Sequence, residues 1–511
     1  MEDLIALAEV VNKQKIKNIE IISEDSKLSP KSKLFYENLV NGNIKSDDDA
    51  LNILYDQDII DSKYRKLKSR LKNRLINTLF FIDVQKYGKS ERDIIQTRAL
   101  HMVASMKILK NRGKGKAAMN IAEEALKLTS KSELVDLSII ICQELSFHYG
   151  IFNYNKKKDE LYSGLLDEQQ ELLKLELLSK KCFKFFAQQI NNRKTNLKLE
   201  IPPDIEEGLI FFDSSLSEIS NFAVNYNAYN ALYFKSYLNR DYNQLESICK
   251  RAVNYFRNKK GFSRIGEFSF IQKLGIAYQA LGKYKKAIES YNQAMGMNPT
   301  AGGVPWYNIR NHLFNTHFAI AQYQIAYNYL LEITRHSSFS KIFPTAREPW
   351  LVKEAYIHLL IKMGKVVEDE SAENKLRPFR INRFLNEVPH FSKDKRGLNI
   401  AILIIHVLFL FINKKEFEIE DRLNALGQYS FRYLRNDETL RSNAFIKMLQ
   451  KLPLANYHPI RIKRYVDKFH KRLLETPMNI SEQSAEIEII PYEHLWEIVI
   501  ELLEMRLEKR I

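Results

Sequence analysis

The sequence predicts an all-α protein, built from many helices that pack in pairs along the chain. The 511 residues include only 17 glycines and 13 prolines, fewer than turn-rich β-sandwiches and β-barrels of this length use. Hydrophobic residues make up 45% of the chain and charged residues 27%, a balance typical of a globular protein and not of a disordered one. From about residue 96, helical stretches alternate with very short breaks, and this pattern predicts a repeat array.

The sequence pattern of residues 1–95 predicts a separate N-terminal helical domain. Apolar residues recur every three or four positions from Tyr64 onward, which is the pattern of an amphipathic helix. Arg65, Lys68 and Lys72 lie off this apolar stripe, and they predict a basic face that could contact nucleic acid. Solvated lysines on an ordinary surface helix explain the same pattern, so both interpretations stay open.

Residues 268–301 contain the clearest helix pair of the chain. Small and aromatic residues occur there at fixed spacings, and a proline follows the second helix; the positions are Leu274, Gly275, Tyr278, Ala287, Tyr291, Ala294 and Pro299. This pattern resembles the tetratricopeptide repeat, a pair of antiparallel helices about 34 residues long. The resemblance implies that Gly275 and Ala287 lie where the two helices cross, because small residues let the backbones approach closely. Pro299 would end the second helix, since it has no N–H to donate.

Weaker units of the same kind precede and follow this pair, at residues 226–257 and 307–336. Further helix pairs are predicted at residues 134–169, 350–388 and 398–429. The resemblance therefore implies that residues 96–455 form a right-handed α-solenoid of irregular helix pairs, in which each pair packs against its neighbours. Residues 456–511 leave the repeat pattern, and a basic helix followed by an acidic helix predicts a C-terminal helical cap.

In tetratricopeptide repeats the first helix of each pair lines a concave groove, through its second, fifth, ninth and twelfth positions. In this chain that register selects mainly amide and aromatic side chains: Asn227, Asn230, Phe234, Tyr237, Ser269, Gln272, Ile276, Gln279, Asn308, Asn311, Asn315 and Phe318. A side-chain amide both donates and accepts hydrogen bonds, so a row of amides can pair with the backbone of an extended peptide. The register therefore predicts a peptide-binding groove, although a chain rich in asparagine throughout would show many of the same residues. The residues depart from the basic clamp with which some family members hold a partner's terminal carboxylate.

No motif of a familiar catalytic or metal-binding type occurs in the sequence. The phosphate-loop, dinucleotide-binding, metalloprotease and nucleophile-elbow patterns are all missing. The three cysteines, Cys142, Cys182 and Cys249, are widely spaced and odd in number, which argues against a disulfide framework and against a zinc site. We therefore expect no catalytic residue, no metal and no cofactor, and a protein that is not an enzyme.

Leu398–Ile412 is the longest apolar run of the chain, but it is shorter than the about 20 residues that span a bilayer. The run includes Asn399 and His406, so it predicts a buried core helix and not a membrane insertion. The first residues of the chain carry acids where a secretion signal needs basic side chains. These features predict a cytoplasmic protein without a membrane partner.

Two functions agree with these features. The first is a cytoplasmic scaffold or adaptor that binds a peptide or protein segment in the concave face of the repeat array. The alternative is a nucleic-acid-associated or peptide-responsive regulatory factor that uses basic helices at residues 61–118 and 458–474, in a chain of net charge +16. The sequence leaves the oligomeric state open.

Overall fold

The computed structural model describes most of the chain as α-helix. The described residues are 29–55, 62–79, 91–191, 200–259, 263–342, 344–368, 376–387, 398–413, 415–433, 440–476 and 488–508. Among them no residue is in a β-strand, which confirms the predicted all-α fold class. The first 28 residues of the predicted N-terminal domain lie outside the described part of the chain.

The α-helices of the described residues are numbered here in chain order. They are α1 (Pro30–Val40), α2 (Asp47–Tyr55), α3 (Ser62–Leu79), α4 (Glu91–Asn111), α5 (Gly115–Lys131), α6 (Val135–Phe147), α7 (Lys156–Asn191), α8 (Pro203–Ser215), α9 (Phe222–Leu238), α10 (Tyr242–Asn258), α11 (Ser263–Ala280), α12 (Tyr284–Gly296), α13 (Val304–Ala319), α14 (Tyr323–Arg335), α15 (Pro344–Lys362), α16 (Ile381–Glu387), α17 (Leu398–Ile412), α18 (Glu416–Tyr433), α19 (Leu440–Gln450), α20 (Pro459–Glu475) and α21 (Tyr492–Glu508). A short π-helix, His148–Phe152, follows α6 directly.

Most of these helices pack chiefly against their neighbours in the sequence. Among the most extensively packed pairs are α4 with α5, α10 with α11, α11 with α12, and α13 with α14. Packing between sequence neighbours is the contact pattern of a helical-repeat solenoid, since each repeat buries its apolar face on the next one. The structure thus confirms the helical-repeat architecture, and the right-handed sense of the solenoid stays a prediction.

The chain divides into two compact units. Unit 1 comprises Met1–Cys182, Ile201–Gly208 and Glu218–Asn227, and unit 2 comprises Phe183–Glu200, Leu209–Ser217 and Ala228–Ile511. The division at residues 95 and 455 that the sequence predicts stays a prediction. Repeats that touch only their neighbours form no sharp border where one type of helix gives way to another.

Six turns between helices share one backbone geometry. The second residue after the end of the first helix has a positive φ, between 53° and 72°, at Gly113, Glu133, Arg240, Gly282, Ala321 and Gly364. At Gly282 the next residue, Lys283, donates its N–H to the carbonyl of Tyr278 over 2.8 Å, which closes the end of α11. Glycine adopts this conformation freely, whereas each of the three other residues carries a strain of about 1–2 kcal/mol. The same tight turn therefore also forms at the three positions where a residue other than glycine has the positive φ.

The long apolar run Leu398–Ile412 forms α17 in the interior of unit 2. Ile404, Ile405 and Leu408 are fully buried there, among side chains of the neighbouring helices. This confirms the predicted core helix. Of the helices that the structure describes, none combines the length and the apolar character needed to cross a membrane.

All three cysteines are free and buried. Burial raises the pKa of the Cys142 and Cys182 thiols to about 11, so both are protonated at neutral pH. Burial also raises the pKa of Cys249. The three thiols thus act as small apolar side chains of the core.

Candidate functional site

Helices α11 and α12 approach each other closely at Gly275. Gly275 on α11 faces the ring of Tyr291 on α12, and a Cβ atom at residue 275 would lie only 2.5 Å from Cε1 of that ring. Ala287, Tyr291 and Ala294 are fully buried along the same contact. The close approach predicted at Gly275 is therefore present, with Tyr291 of α12 opposite it, and it fixes which face of α11 turns away from α12.

The first helices of four successive pairs line one cavity of about 610 Å³ in unit 2. These helices are α9, α11, α13 and α15, and we call the cavity the inner groove. Seven of the ten side chains that we predict for peptide binding line it: Phe234, Tyr237, Gln272, Gln279, Asn308, Asn311 and Asn315. Ser269 and Ile276, which the same register selects, also line the inner groove. The groove positions predicted on α11 thus lie in a cavity whose remaining walls come from α9, α13 and α15.

Three predicted groove residues lie elsewhere. Phe318 is fully buried, with its ring centroid 4.3 Å from that of Phe314 and 5.4 Å from that of Tyr323, so its placement in the groove is wrong. It belongs to the last turn of α13, which packs into the core before the turn to α14. Asn230 is 2% exposed, and Asn227 is half-buried away from the cavity wall. The position of a residue along a helix determines which side of the helix it lies on. Packing of neighbouring side chains then determines which residues on that side are accessible in the groove.

Lys273 lies in the wall of the inner groove, one residue beyond the predicted Gln272. Its Nζ donates to Oγ of Ser269 over 2.7 Å and lies 5.0 Å from the ring centroid of Phe270 and 5.6 Å from that of Tyr233. Partial burial among these rings removes water from the ammonium group and lowers its pKa to about 8. Sequence reasoning missed Lys273 because the family register does not include its position.

A second lysine and a histidine also line the inner groove. Lys353 is 4% exposed, donates to Oδ1 of Asn311, and places Nζ 4.4 Å from the ring centroid of Trp350. Burial, together with the positive charge of Lys353, lowers the pKa of His312 to about 4, so that imidazole is neutral at pH 7. No sequence signal marks Lys353 as a groove residue, since it lies on α15, outside the three units to which the register applies.

A chain of contacts links the core to the groove. The hydroxyl of buried Tyr291 donates to Oε1 of Gln279 over 3.1 Å, and the Tyr291 ring stacks on His312 with centroids 5.2 Å apart. Gln279 and His312 both line the inner groove. The packing of Tyr291 therefore sets the positions of two groove side chains on different helices.

The basic residues predicted to contact nucleic acid lie on α3 in unit 1. Asp47 accepts hydrogen bonds from Lys68 and from the hydroxyl of Tyr64, so Lys68 is one partner of an exposed ion pair. Arg65 and Lys72 are exposed. The face that the sequence predicts is therefore present, with the charge of Lys68 offset by Asp47.

The described residues bring no three histidine, cysteine or acidic side chains together in a group that could hold a metal ion. The inner groove itself contains lysine, amide, hydroxyl and aromatic side chains, and His312 is the one imidazole among its described lining residues. Amide and hydroxyl groups suit hydrogen bonding to a polar ligand.

The comparisons with known proteins agree with this architecture. A family model described as the tetratricopeptide repeat matches residues 269–300, which cover most of α11 and all of α12. No curated protein and no solved structure shows significant similarity to the chain. The matched repeat and the helix pairs around it define a tetratricopeptide-like helical-repeat protein.

Replacing Lys273 by Met is expected to raise the free energy of unfolding at pH 7 by about 1–3 kcal/mol, because the partly buried charge is removed. The pKa of Lys273 falls from 10.5 to about 8 on folding, so between these values the unfolded chain binds more protons than the folded chain. The wild type therefore gains stability as pH rises from 8 towards 10.5, and the advantage of the variant shrinks. Urea unfolding of both proteins at pH 7 and pH 10 measures this difference.

The matched control is Lys285→Met, which changes an exposed lysine on α12 and is expected to alter stability by less than about 0.5 kcal/mol. A Lys273→Met variant less stable than the wild type at pH 7 would contradict the assignment of an uncompensated charge in the groove wall.

Proposed function

We propose that this protein is a cytoplasmic interaction scaffold or adaptor that holds an extended peptide, or an extended segment of a partner protein, in the inner groove. The observation that carries the proposal is the convergence of seven predicted amide and aromatic side chains on one cavity. Amide side chains pair with a peptide backbone whatever its sequence, and the aromatic side chains provide apolar surface between them.

The size of the cavity suits this kind of ligand. Ligand-binding clefts commonly enclose about 300–1,000 Å³, and the inner groove at about 610 Å³ falls in that range. Such a volume accepts a few residues of an extended chain and not a folded domain. The rest of the partner would then lie outside the groove.

The proposal assigns a role in binding and not in catalysis, and it needs no cofactor. Two observations support the cytoplasmic setting. The chain keeps three free, buried cysteines, and free thiols are usual in a reducing compartment. None of the described helices could cross a membrane.

The test begins with selection of random peptides of about twelve residues on the full chain, followed by fluorescence anisotropy with the selected sequences. Gln272→Ala together with Asn308→Ala removes one amide from each of two groove helices, α11 and α13. The double variant is expected to bind the selected peptides about tenfold or more weakly, because each lost hydrogen bond costs about 0.5–1.5 kcal/mol.

The matched control is Asn292→Ala with Gln293→Ala, which removes two exposed amides from the outer helix α12. This variant should bind like the wild type. Failure to select any peptide, or equal affinity of the groove variant and the wild type, would disprove the proposed function.

The nucleic-acid-associated role of residues 61–118 and 458–474 stays a prediction. On α20, Arg461, Lys463 and Arg464 are exposed, while Lys471 pairs with Asp467 over 2.9 Å. These charges are compatible with that role, but no observation favours it over an ordinary solvated surface.

A further inference from the structure

We propose that the inner groove selects acidic peptide segments, and that Lys273 receives the carboxylate of an Asp or Glu side chain. This inference rests on the proposed function and adds the chemical class of the ligand. It begins with the charges of the groove. Its described lining residues include Lys273 and Lys353 but no aspartate or glutamate, so the lining carries a net positive charge.

Lys273 has the environment of a cation whose counter-ion is missing. An ammonium group has three donors, and Lys273 uses one of them for the neutral hydroxyl of Ser269. No described carboxylate lies within ion-pair distance of its Nζ. Partly buried charges in proteins are normally paired, since loss of water leaves them uncompensated. A carboxylate from the ligand would supply the pair and use the remaining donors.

The surroundings of Lys273 favour a strong pair. The rings of Phe270 and Tyr233 lie within 5.0 Å and 5.6 Å of Nζ, and they exclude water from this part of the wall. A charge-assisted hydrogen bond is stronger in such a place than on an open surface, because the local dielectric constant is lower. Phe234, whose ring stacks on that of Phe183 at 5.8 Å, adds a rigid apolar wall beside it.

The amides on the same helix indicate that the anion belongs to a peptide. Gln272 and Gln279 line the groove along α11 on either side of Lys273, and Asn308 and Asn315 line it along α13. These groups can hold the peptide backbone before and after the acidic residue. A free inorganic anion would pair with Lys273 but would leave these side-chain amides without a ligand.

The test uses two pooled libraries of acetylated, C-terminally amidated peptides of about twelve residues. One carries Asp or Glu at a central position, and the other carries Asn or Gln there. The full-length wild type should bind the acidic library about tenfold or more tightly, and Lys273→Gln should reduce this preference to about twofold or less. Lys273→Gln should lose less affinity for the amide library than for the acidic library. Because the substitution removes a destabilising charge, unfolding is not the expected cause of any loss.

Lys285→Gln, on the outer surface of α12, is the matched control and should keep the full preference for acidic peptides. A third library with neutral side chains and a free C-terminal carboxylate separates the two possible sources of the anion. Tighter binding of that library than of the acidic one would overturn the side-chain assignment. Equal binding of the acidic and amide libraries, or an undiminished preference in Lys273→Gln, would also overturn the inference while leaving the proposed function intact. Binding of no library at all would instead count against the proposed function itself.

Discussion

Replacing Arg441 by Met is expected to lower the free energy of unfolding of unit 2 by about 3–5 kcal/mol, since it leaves a carboxylate buried without its partner. Arg441 on α19 is 8% exposed and Glu488, just before α21, is 3% exposed. The guanidinium donates from Nε and Nη2 to the two Glu488 oxygens over 3.0 Å and 2.6 Å. It also pairs with Glu493 at the start of α21.

The same guanidinium closes the end of α20. Its Nη1 donates to the carbonyls of Leu473 and Thr476 over 3.0 Å and 2.6 Å, at the end of the helix where carbonyls lack the usual intrahelical N–H donors. The Leu473 carbonyl also accepts the N–H of Thr476 over 3.3 Å. One side chain thus joins α19, α20 and α21. Thermal and urea unfolding, followed by circular dichroism, measure the loss, and the last helices should unfold first.

Two further variants make this prediction specific. Arg461→Met removes an exposed arginine from α20 and should change stability by less than about 0.5 kcal/mol. Arg441→Met combined with Glu488→Leu removes both members of the buried pair and should recover much of the loss, because the carboxylate that remains, Glu493, is partly exposed to water. A cost below about 1 kcal/mol for Arg441→Met alone would show that water reaches Glu488 and that the pair is not buried in solution.

Replacing Gly275 by Ala is expected to destabilise unit 2 by about 1–3 kcal/mol, although alanine favours helix more than glycine does. The new Cβ would lie 2.5 Å from Cε1 of Tyr291, whose ring is fully buried. Either α11 and α12 separate, or the ring shifts. A shifted ring would also move Gln279 and His312, so peptide affinity should fall together with stability.

Gly164→Ala is the matched control for this substitution. Gly164 lies inside α7, more than two turns from its start, is exposed, and has no neighbouring atom within 4 Å of the position that a Cβ would take. Alanine there should stabilise the helix by up to about 1 kcal/mol. The two glycine-to-alanine changes should therefore have opposite signs in one unfolding assay. A neutral or stabilising Gly275→Ala would mean that the two helices do not cross at residue 275.

The sequence by itself determined the helical class, the clear repeat and one face of its first helix. Glycine at residue 275 and tyrosine at residue 291 are complementary in size, and this local complementarity sets how α11 and α12 pair. Once the pair is set, helical periodicity decides which side of α11 faces away from α12, and Gln272 and Gln279 lie on that side. The same reasoning holds for α17, whose continuous apolar surface can only be buried. These features depend on residues close together in the sequence.

Only the tertiary structure decided which other side chains share the groove and which charges meet. Lys273 and Lys353 are 80 positions apart on α11 and α15, and they line one cavity because irregular pairs stack between them. Phe318 satisfies the groove register but enters the core, since α14 and its neighbours cover the end of α13. Arg441 and Glu488 meet through the packing of three helices. Such contacts depend on the angles between successive repeats, and those angles follow from packing along the whole array and not from any one repeat.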